Sequence, residues 1–217
     1  MVKDKDIDYL TFSGRGEPTL AKNLGEMIQR IKEVREEEIA VITNSTTLYL
    51  SHVREDLVFS DLVIAKLDAC DEMSFFNLDK PMKGIRFERI MEGIKKFRDV
   101  YQGRLSLQIM FVEENRRLAK DMASLVRAIN ADEIQINTPL RPSAAKALDK
   151  EGIDEIRSYF EGMPAVTVYD HDRKETVPSD AAATARRHGH PPSQETTCSA
   201  YGGLPRKVER DSASTVS

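Results

Sequence analysis

Short apolar segments alternate with longer amphipathic segments over most of this 217-residue chain. The apolar segments have the length and residue types of strands, and apolar residues recur at helical spacing between them. The pattern predicts strands at 8–13, 38–43, 62–68, 105–111, 133–137 and 165–169, and helices at 20–34, 48–59, 86–101, 115–129 and 149–160. This alternation favours a parallel α/β sheet with right-handed crossovers. An open doubly wound sheet and a barrel both fit, because periodicity does not separate them.

Composition narrows the class of protein further. Apolar residues make up 40% of the chain and charged residues 31%, and the net charge is −4. These values are typical of a globular protein, and they argue against a basic nucleic-acid groove as the main surface, although a local patch for tRNA stays open. No apolar run approaches the roughly 20 residues of a membrane span. Cys70 and Cys198 are too few for a disulfide framework, so we expect a cytoplasmic protein with no membrane partner.

The alternation stops near residue 170. Residues 171–217 are rich in Pro, Ser, Thr, Ala and Arg and contain few apolar residues, so we expect a largely disordered tail. Within it, His188, His190 and Cys198 match no standard ligand spacing, and we predict no metal site from them. The predicted organisation is a barrel-like domain over 1–170 followed by this tail.

Polar residues recur where the predicted strands end. In parallel α/β proteins, ligands bind at the carboxyl ends of the strands. The candidate binding residues there are Ser13, Gly14, Gly16, Glu17, Pro18, Asn44, Lys66, Asp68, Gln108, Asn137 and Thr138. Each of these side chains could instead cap the helix that follows it. We favour a shared ligand site, because a structural sheet does not need an acid, amides and a lysine on one edge.

The turn after the first predicted strand, residues 14–18, carries the most specific signal. Gly14 and Gly16 expose backbone amides, and Glu17 adds a fixed negative charge. A carboxylate would repel a phosphate, whereas it suits a ligand with an ammonium group, such as an amino acid. No Walker lysine follows, and the glycine spacing does not match a dinucleotide fingerprint.

Residues 11–20 resemble the GGE-type motif of the radical S-adenosylmethionine superfamily. Residues 43–45, 66–69 and 135–142 are similar to later strand ends of that family, and the resemblance extends over about 6–170. The most similar subgroup is the iron–sulfur oxidoreductases related to wyosine-type tRNA-modifying enzymes. The resemblance implies a partial (β/α) TIM-type barrel of about six parallel strands, open where the first strand is missing.

The resemblance also implies an activity and its cofactors. A reduced 4Fe–4S cluster would cleave S-adenosylmethionine to a 5′-deoxyadenosyl radical, with ferredoxin or flavodoxin as reductant and a tRNA or a protein as a possible substrate. By the same resemblance, Gly14, Gly16 and Glu17 would seat the methionyl amine, and Ser13 and Pro18 would belong to the same cofactor-binding turn. Asn44, Lys66 and Asp68 would contact the carboxylate or ribose, and Asn137 and Thr138 the adenosine end. Gln108 and Arg141 are candidate substrate contacts.

One departure from the family pattern is large. The CxxxCxxC loop that holds the cluster does not occur in these 217 residues, and Cys70 stands alone after its strand. We therefore expect a truncated piece of a radical enzyme, with a cluster-less barrel that binds S-adenosylmethionine or regulates as the alternative. This chain by itself should not cleave the cofactor reductively.

Two further expectations depend on the strands. The missing first strand would leave an open edge beside residues 8–13, through which the chain could self-associate. An unrelated barrel aldolase or isomerase is the last alternative, with Lys66 as a Schiff-base lysine.

Overall fold

The computed structural model describes residues 7–14, 16–140 and 145–170. Its centre is a sheet of six parallel strands whose spatial order is also their order in the chain. The strands are β1 (Tyr9–Phe12), β2 (Glu38–Thr43), β3 (Leu62–Lys66), β4 (Arg104–Met110), β5 (Glu133–Asn137) and β6 (Ala165–Thr167). Five of the six strands lie within the segments that the sequence predicts, and β4 begins one residue earlier, at Arg104.

Helices connect the successive strands. They are α1 (Leu24–Lys32), α2 (Ser51–Leu57), α3 (Glu72–Asp79), α4 (Phe87–Val100), α5 (Ala119–Arg127) and α6 (Lys150–Ser158), with short 3-10 turns at Pro18–Leu20 and Arg116–Leu118. In the part of the chain that the structure describes, no helix is long and apolar enough to cross a membrane.

Packing of the two sheet faces settles the choice between an open doubly wound sheet and a barrel. Every α-helix contributes buried side chains to one large apolar cluster, together with alternate strand residues such as Val63 and Leu107. A second cluster on the other face consists of strand residues alone: Tyr9, Ala40, Leu62 and Ile64. Helices that cover only one face of a sequentially ordered parallel sheet form a barrel wall. The predicted partial (β/α) barrel of six parallel strands is confirmed.

The inner face becomes polar toward β4 and β5. Arg104 of β4 forms an ion pair with Glu38 at 2.9 Å, and its guanidinium also lies 5.5 Å from the centroid of the Tyr9 ring. Higher in the barrel, Ser106 donates a hydrogen bond to Glu133. Polar side chains are tolerated on this face because each of these has a partner inside the barrel.

Two aspartates, each just before a strand, fix the amino end of the neighbouring strand. Asp61, just before β3, accepts a hydrogen bond from the Ile39 backbone N–H at 2.8 Å, and Asp132, just before β5, accepts one from the Leu105 N–H at 2.8 Å. Both carboxylates thus hold the start of the preceding strand. In barrels of this kind, groups at this end stabilise the fold and leave the opposite end free for ligands.

Helix α3 is the main difference between the predicted and observed elements, because the sequence indicates a loop before the helix at 86–101. Its apolar residues do not form one stripe, since Met73 is 75% exposed and Phe76 68% exposed. The helix begins instead at a capping box in which Asp71 and Ser74 bond each other's backbone N–H groups. This short helix follows β3 directly and covers part of the carboxyl end of the sheet.

The two outer strands of the sheet are β1 and β6. Each pairs with a single neighbour among the described residues, β2 and β5 respectively. The edge beside β1 is therefore open in that part of the chain, and self-association through it stays a prediction. The predicted tail at 171–217 lies outside the described residues.

Candidate ligand site at the carboxyl ends of the strands

The Glu17 carboxylate connects the end of β1 to the end of β2. Its Oε1 accepts hydrogen bonds from the Thr19 N–H and from the hydroxyls of Thr19 and Thr43, each of the hydroxyls at 2.6 Å. Its Oε2 accepts one bond, from the Asn44 N–H at 2.7 Å. Protein donors therefore fill Oε1, whereas within the described residues Oε2 keeps capacity for one further donor.

The end of β2 is connected in turn to the end of β3. Ser45 is fully buried, has a left-handed backbone with φ of 67°, and donates its hydroxyl to the Lys66 carbonyl at 2.8 Å. The Ser45 N–H donates to the Thr43 hydroxyl at 3.1 Å. A serine held in this conformation is strained, and strain of this kind is frequent at functional sites.

Asp68 continues the chain of contacts from β3 to β4. Its Oδ1 accepts the Met110 N–H at 2.7 Å, and its Oδ2 lies 3.6 Å from the Lys66 ammonium. Burial raises the pKa of Asp68, and the Lys66 charge acts in the opposite direction. Asp68 does not cap helix α3, since Asp71 does so. The structure therefore excludes the capping explanation for Asp68.

Asn137 and Thr138 lie at the end of β5. The Asn137 carbonyl accepts the Phe111 N–H at 2.7 Å, which connects β4 to β5. Thr138 is buried, and its hydroxyl accepts the Leu148 N–H at 2.9 Å. Asn137 is only 8% exposed, and its side-chain amide has no hydrogen-bond partner among the described residues. The Thr138 hydroxyl therefore supports the fold, while the Asn137 amide makes no such contact within the described residues.

Together these contacts join the ends of β1 to β5 in sequence. We call this set the rim network: Glu17, Thr43, Ser45, Asp68 and Asn137, with the backbone groups that they bond. Thr43 and Ser45 are missing from the predicted binding residues although they flank Asn44. Their signal in the sequence is their place at the end of β2, in the segment 43–45 that resembles the family.

The glycine turn leaves open space above the rim. Neither Gly14 nor Gly16 has a left-handed φ, and a Cβ added at either position would meet no atom within 4 Å. Ser13, Gly14 and Gly16 are exposed, and Pro18 begins the short 3-10 turn. The glycines are thus not required by the backbone conformation, and what they provide is room next to Glu17. Arg15 lies outside the described residues.

Gln108 lies on the inner face of β4, beneath the rim. Its Nε2 donates to Gln135 Oε1 at 3.0 Å, and Gln135 Nε2 donates to Glu133 Oε1 at 2.8 Å. Because an ionised carboxylate only accepts hydrogen bonds, Glu133 fixes the orientation of both amides. Within the described residues, Gln108 therefore keeps its Oε1 acceptor for another donor. Arg141, the other predicted substrate contact, lies outside the described residues.

A cavity of about 100 Å³ lies between the rim and helices α3 and α4. Its polar lining consists of Asn44, Lys66, Asp68 and Asp79, and Phe75 contributes to the apolar wall. Asp79, the last residue of α3, is absent from the predicted binding residues because the helix that carries it was not predicted. Desolvation, and then the negative charge of Asp68, raise the pKa of Asp79 to about 6, even though the residue is exposed at the cavity mouth.

Cys70 lies just after β3, and its surroundings do not favour a thiolate. Burial raises the pKa of the Cys70 thiol, and the negative charge of Asp71 acts in the same direction. Among the described residues, no group of three or more His, Cys, Asp or Glu side chains is arranged to hold a metal ion.

These features define a partial (β/α) barrel with a cluster of polar groups at the carboxyl ends of its strands. Residues 2–126, more than half of the chain, match the family model described as the Radical SAM superfamily. The chain belongs to this superfamily, which confirms the resemblance found in its sequence.

Two curated relatives show how much of a protein the chain represents. It is 34% identical over 174 residues to a Brachyspira hyodysenteriae protein named GTPase Obg, covering 77% of this chain and 26% of that protein. It is 38% identical over 152 residues to a UPF0026 protein of Synechocystis, covering 67% of this chain and 54% of that one. The chain thus spans about half or less of the length of these relatives.

Solved structures confirm the fold. A domain of pyruvate-formate lyase-activating enzyme from Bacteroides vulgatus has a TM-score of 0.61 at 17% identity, over 73% of this chain and 97% of that one. TYW1 with a lysine-pyruvate adduct bound has a TM-score of 0.62 at 18% identity, over 72% and 51%. Streptococcus suis SuiB bound to S-adenosylmethionine has a TM-score of 0.57 at 15% identity, over 73% and 39%.

Proposed function

We propose that this chain is the cofactor-binding part of a radical S-adenosylmethionine enzyme and that it binds S-adenosylmethionine along the rim network. The observation that carries the proposal is the Glu17 carboxylate, which protein donors fix in place while Oε2 keeps capacity for one more. A carboxylate that is already oriented binds an ammonium group without further ordering of its side chain.

The other rim residues suit the rest of the cofactor. Lys66 supplies a positive charge for the methionyl carboxylate, and Asp68 supplies an acceptor for a ribose hydroxyl. Asn44 Oδ1 already accepts the Thr46 N–H and hydroxyl, so Asn44 offers the ribose its amide N–H donors. At the far end, the buried Asn137 amide offers both a donor and an acceptor, which is what the edge of an adenine requires. The polar groups of the ligand thus have matching partners from β1 to β5.

The same residues do not fit an iron–sulfur cluster. Thiolates hold such clusters, the 217 residues contain only Cys70 and Cys198, and the pKa of Cys70 is raised. Bound S-adenosylmethionine supplies the radical chemistry of the family. The part that this chain's own residues play is to bind the cofactor, orient it and leave the Gln108 acceptor facing a substrate donor.

Lys66 does not favour the aldolase alternative. A Schiff-base lysine is activated by desolvation or by a neighbouring cation, whereas the Lys66 side chain is 35% exposed and pairs with Asp68.

Isothermal titration of the purified chain with S-adenosylmethionine tests the proposal. We expect the wild-type chain to bind, and Glu17→Gln to weaken binding about ten- to a hundredfold, because a charge-assisted hydrogen bond is worth about 1.5–3 kcal/mol. The matched control is Glu36→Gln, which makes the same change at an exposed site near the amino end of β2.

Thermal unfolding of each variant shows whether the loss reflects binding or folding. A Glu17→Gln chain that unfolds like wild type and keeps its affinity would refute the role of Glu17. No binding by the wild-type chain would refute the proposed function for this chain.

We also propose the wider features that the resemblance implies. These are a reductant such as ferredoxin or flavodoxin, a tRNA or protein substrate near Gln108, a cytoplasmic location, and a barrel domain over 1–170 with a separate tail. We further propose that the chain forms dimers through the β1 edge. The support is that, in the described residues, the backbone groups of β1 pair with β2 on one side and are unpaired on the other. A monomer by light scattering would contradict that last proposal.

A further inference from the structure

Helix α3 brings an acidic side chain to the cavity at the rim. The helix begins at its capping box just after β3 and ends at Asp79, where Lys80 takes a left-handed conformation with φ of 46°. Asp79 lines the same cavity as Asn44, Lys66 and Asp68. The cavity therefore has one wall from the strand ends and one from α3 and α4.

The charges in this cavity do not balance. Lys66 and Asp68 form an ion pair at 3.6 Å, which largely neutralises both charges. Asp79 has no hydrogen bond and no ion pair among the described residues, and its interactions there are with the charges of Asp68 and Lys66. Ionisation of Asp79 thus gives the cavity an unpaired negative charge, which favours a positively charged ligand group.

The size of the cavity limits which group that is. A volume of about 100 Å³ corresponds to roughly three water molecules. It accommodates a small cationic centre but not a whole nucleoside, so the remainder of the ligand would extend along the rim. In S-adenosylmethionine the sulfonium with its methyl group is such a centre, and it lies between the methionyl group and the ribose.

We propose that Asp79 is a specificity-determining residue that makes this site prefer the sulfonium of S-adenosylmethionine over the neutral thioether of S-adenosylhomocysteine. The inference rests on the proposed function, since it assumes that the cofactor lies along the rim. The two ligands share the adenosine, the ammonium and the carboxylate and differ in one methyl group and one positive charge. A nearby carboxylate therefore distinguishes them mainly by charge.

The same geometry makes the preference depend on pH. The charged groups that line the cavity are Lys66 at the end of β3, Asp68 just after it, and Asp79 of α3. The uncharged lining includes Phe87 and Ile90 of α4 and Asn44 just after β2. The pKa of Asp79 is about 6, so its charge is largely present one unit above that value and largely absent one unit below it. The preference for the sulfonium should increase over this interval.

The test is a calorimetric titration of the whole 217-residue chain with each ligand separately. It compares wild type, Asp79→Asn and Asp79→Glu about one pH unit above and below the pKa of Asp79. The matched control is Asp99→Asn, which removes the same charge near the carboxyl end of α4, at the opposite end of the barrel. Asp79→Glu retains the charge, and thermal unfolding confirms that each variant is folded.

We expect Asp79→Asn to reduce the ratio of the two affinities about three- to tenfold at the higher pH, since solvent weakens a charge at a cavity mouth. The thioether affinity should change little, and Asp79→Glu and Asp99→Asn should keep the wild-type ratio. An Asp79→Asn chain that binds both ligands with the wild-type ratio would overturn this inference and leave the proposed function standing. A wild-type chain that binds neither ligand would overturn both.

Discussion

Gly93, in the middle of α4, is the residue whose replacement has the most calculable effect. A Cβ built on Gly93 would lie 2.5 Å from the Tyr49 backbone nitrogen and 2.6 Å from the Leu48 carbonyl carbon. The first distance is 0.9 Å inside the 3.4 Å at which ordinary van der Waals contact begins. Because the obstructing atoms belong to the backbone, they do not move aside as the end of a side chain would.

The magnitude for Gly93→Ala follows from two opposing effects. Overpacking of a close contact costs about 1–3 kcal/mol, whereas alanine in place of a helical glycine gains at most about 1 kcal/mol. We therefore expect the free energy of unfolding to fall by about 1–2 kcal/mol. For a domain of this size, that corresponds to a melting temperature roughly 2–8 °C lower. Urea unfolding followed by circular dichroism measures it, and the m-value should not change.

Gly25→Ala in α1 is the matched control. Its Cβ would meet Asp56 Oδ1, but that atom ends a side chain that can rotate away, and the Asp56 Cα lies farther off at 3.1 Å. We expect the free energy of unfolding to stay within about 0.5 kcal/mol of wild type, because the cost of a small shift of Asp56 offsets the gain in helix propensity. If Gly93→Ala is as stable as Gly25→Ala, the close packing of α4 on residues 48–49 is not present in solution.

Three further variants test other parts of the structure. Asn115→Ala should destabilise the chain by about 2–3 kcal/mol in urea unfolding, because it leaves the buried Val112 N–H and the Met110 carbonyl without their partner. An Asn115→Ala chain as stable as wild type would contradict the role of these two hydrogen bonds. Asp61→Asn should lower stability by about 1 kcal/mol, since it weakens a charge-assisted hydrogen bond at the start of β2, and an unchanged midpoint would argue against that bond. Asp79→Asn should stabilise the chain at neutral pH and have little effect below pH 3.8. The pKa of Asp79 is raised from 3.8 to about 6 in the folded chain, so ionisation of wild-type Asp79 lowers the free energy of unfolding as the pH rises through this interval. If Asp79→Asn changed the stability equally at both pH values, the raised pKa of Asp79 would be wrong.

The barrel illustrates which features a sequence pattern determines. The six strands were predictable, because a strand buried against helices needs a short run of apolar residues. The same pattern fits an open doubly wound sheet, since periodicity does not show which face of the sheet each helix covers. That choice depends on contacts between distant segments, such as the second cluster formed by Tyr9, Ala40, Leu62 and Ile64 without any helix.

The candidate ligand site was likewise predictable only in part. Glu17, Asn44, Lys66, Asp68 and Asn137 were predictable as candidates, because the ends of parallel strands meet at one edge and these side chains are polar in an apolar context. The sequence did not show that Oε1 of Glu17 is filled by protein donors, or that Thr138 supports the fold. Hydrogen-bond partners from different strands depend on register, which residue types alone do not determine.

Asp79 was missed for a physical reason. Helix α3 exposes Met73 and Phe76, so it lacks the apolar stripe by which amphipathic helices are recognised, and only its capping residues indicate where it begins. The sequence by itself determined the succession of strands and helices along the chain, the polar turn of residues 14–18 and membership of a family. The tertiary structure decided that the helices cover one face, that the strand ends are bonded to one another, and that α3 brings Asp79 to a cavity beside Asp68. These features arise from packing between segments that are distant in the chain. Local sequence patterns do not show which of these segments come into contact.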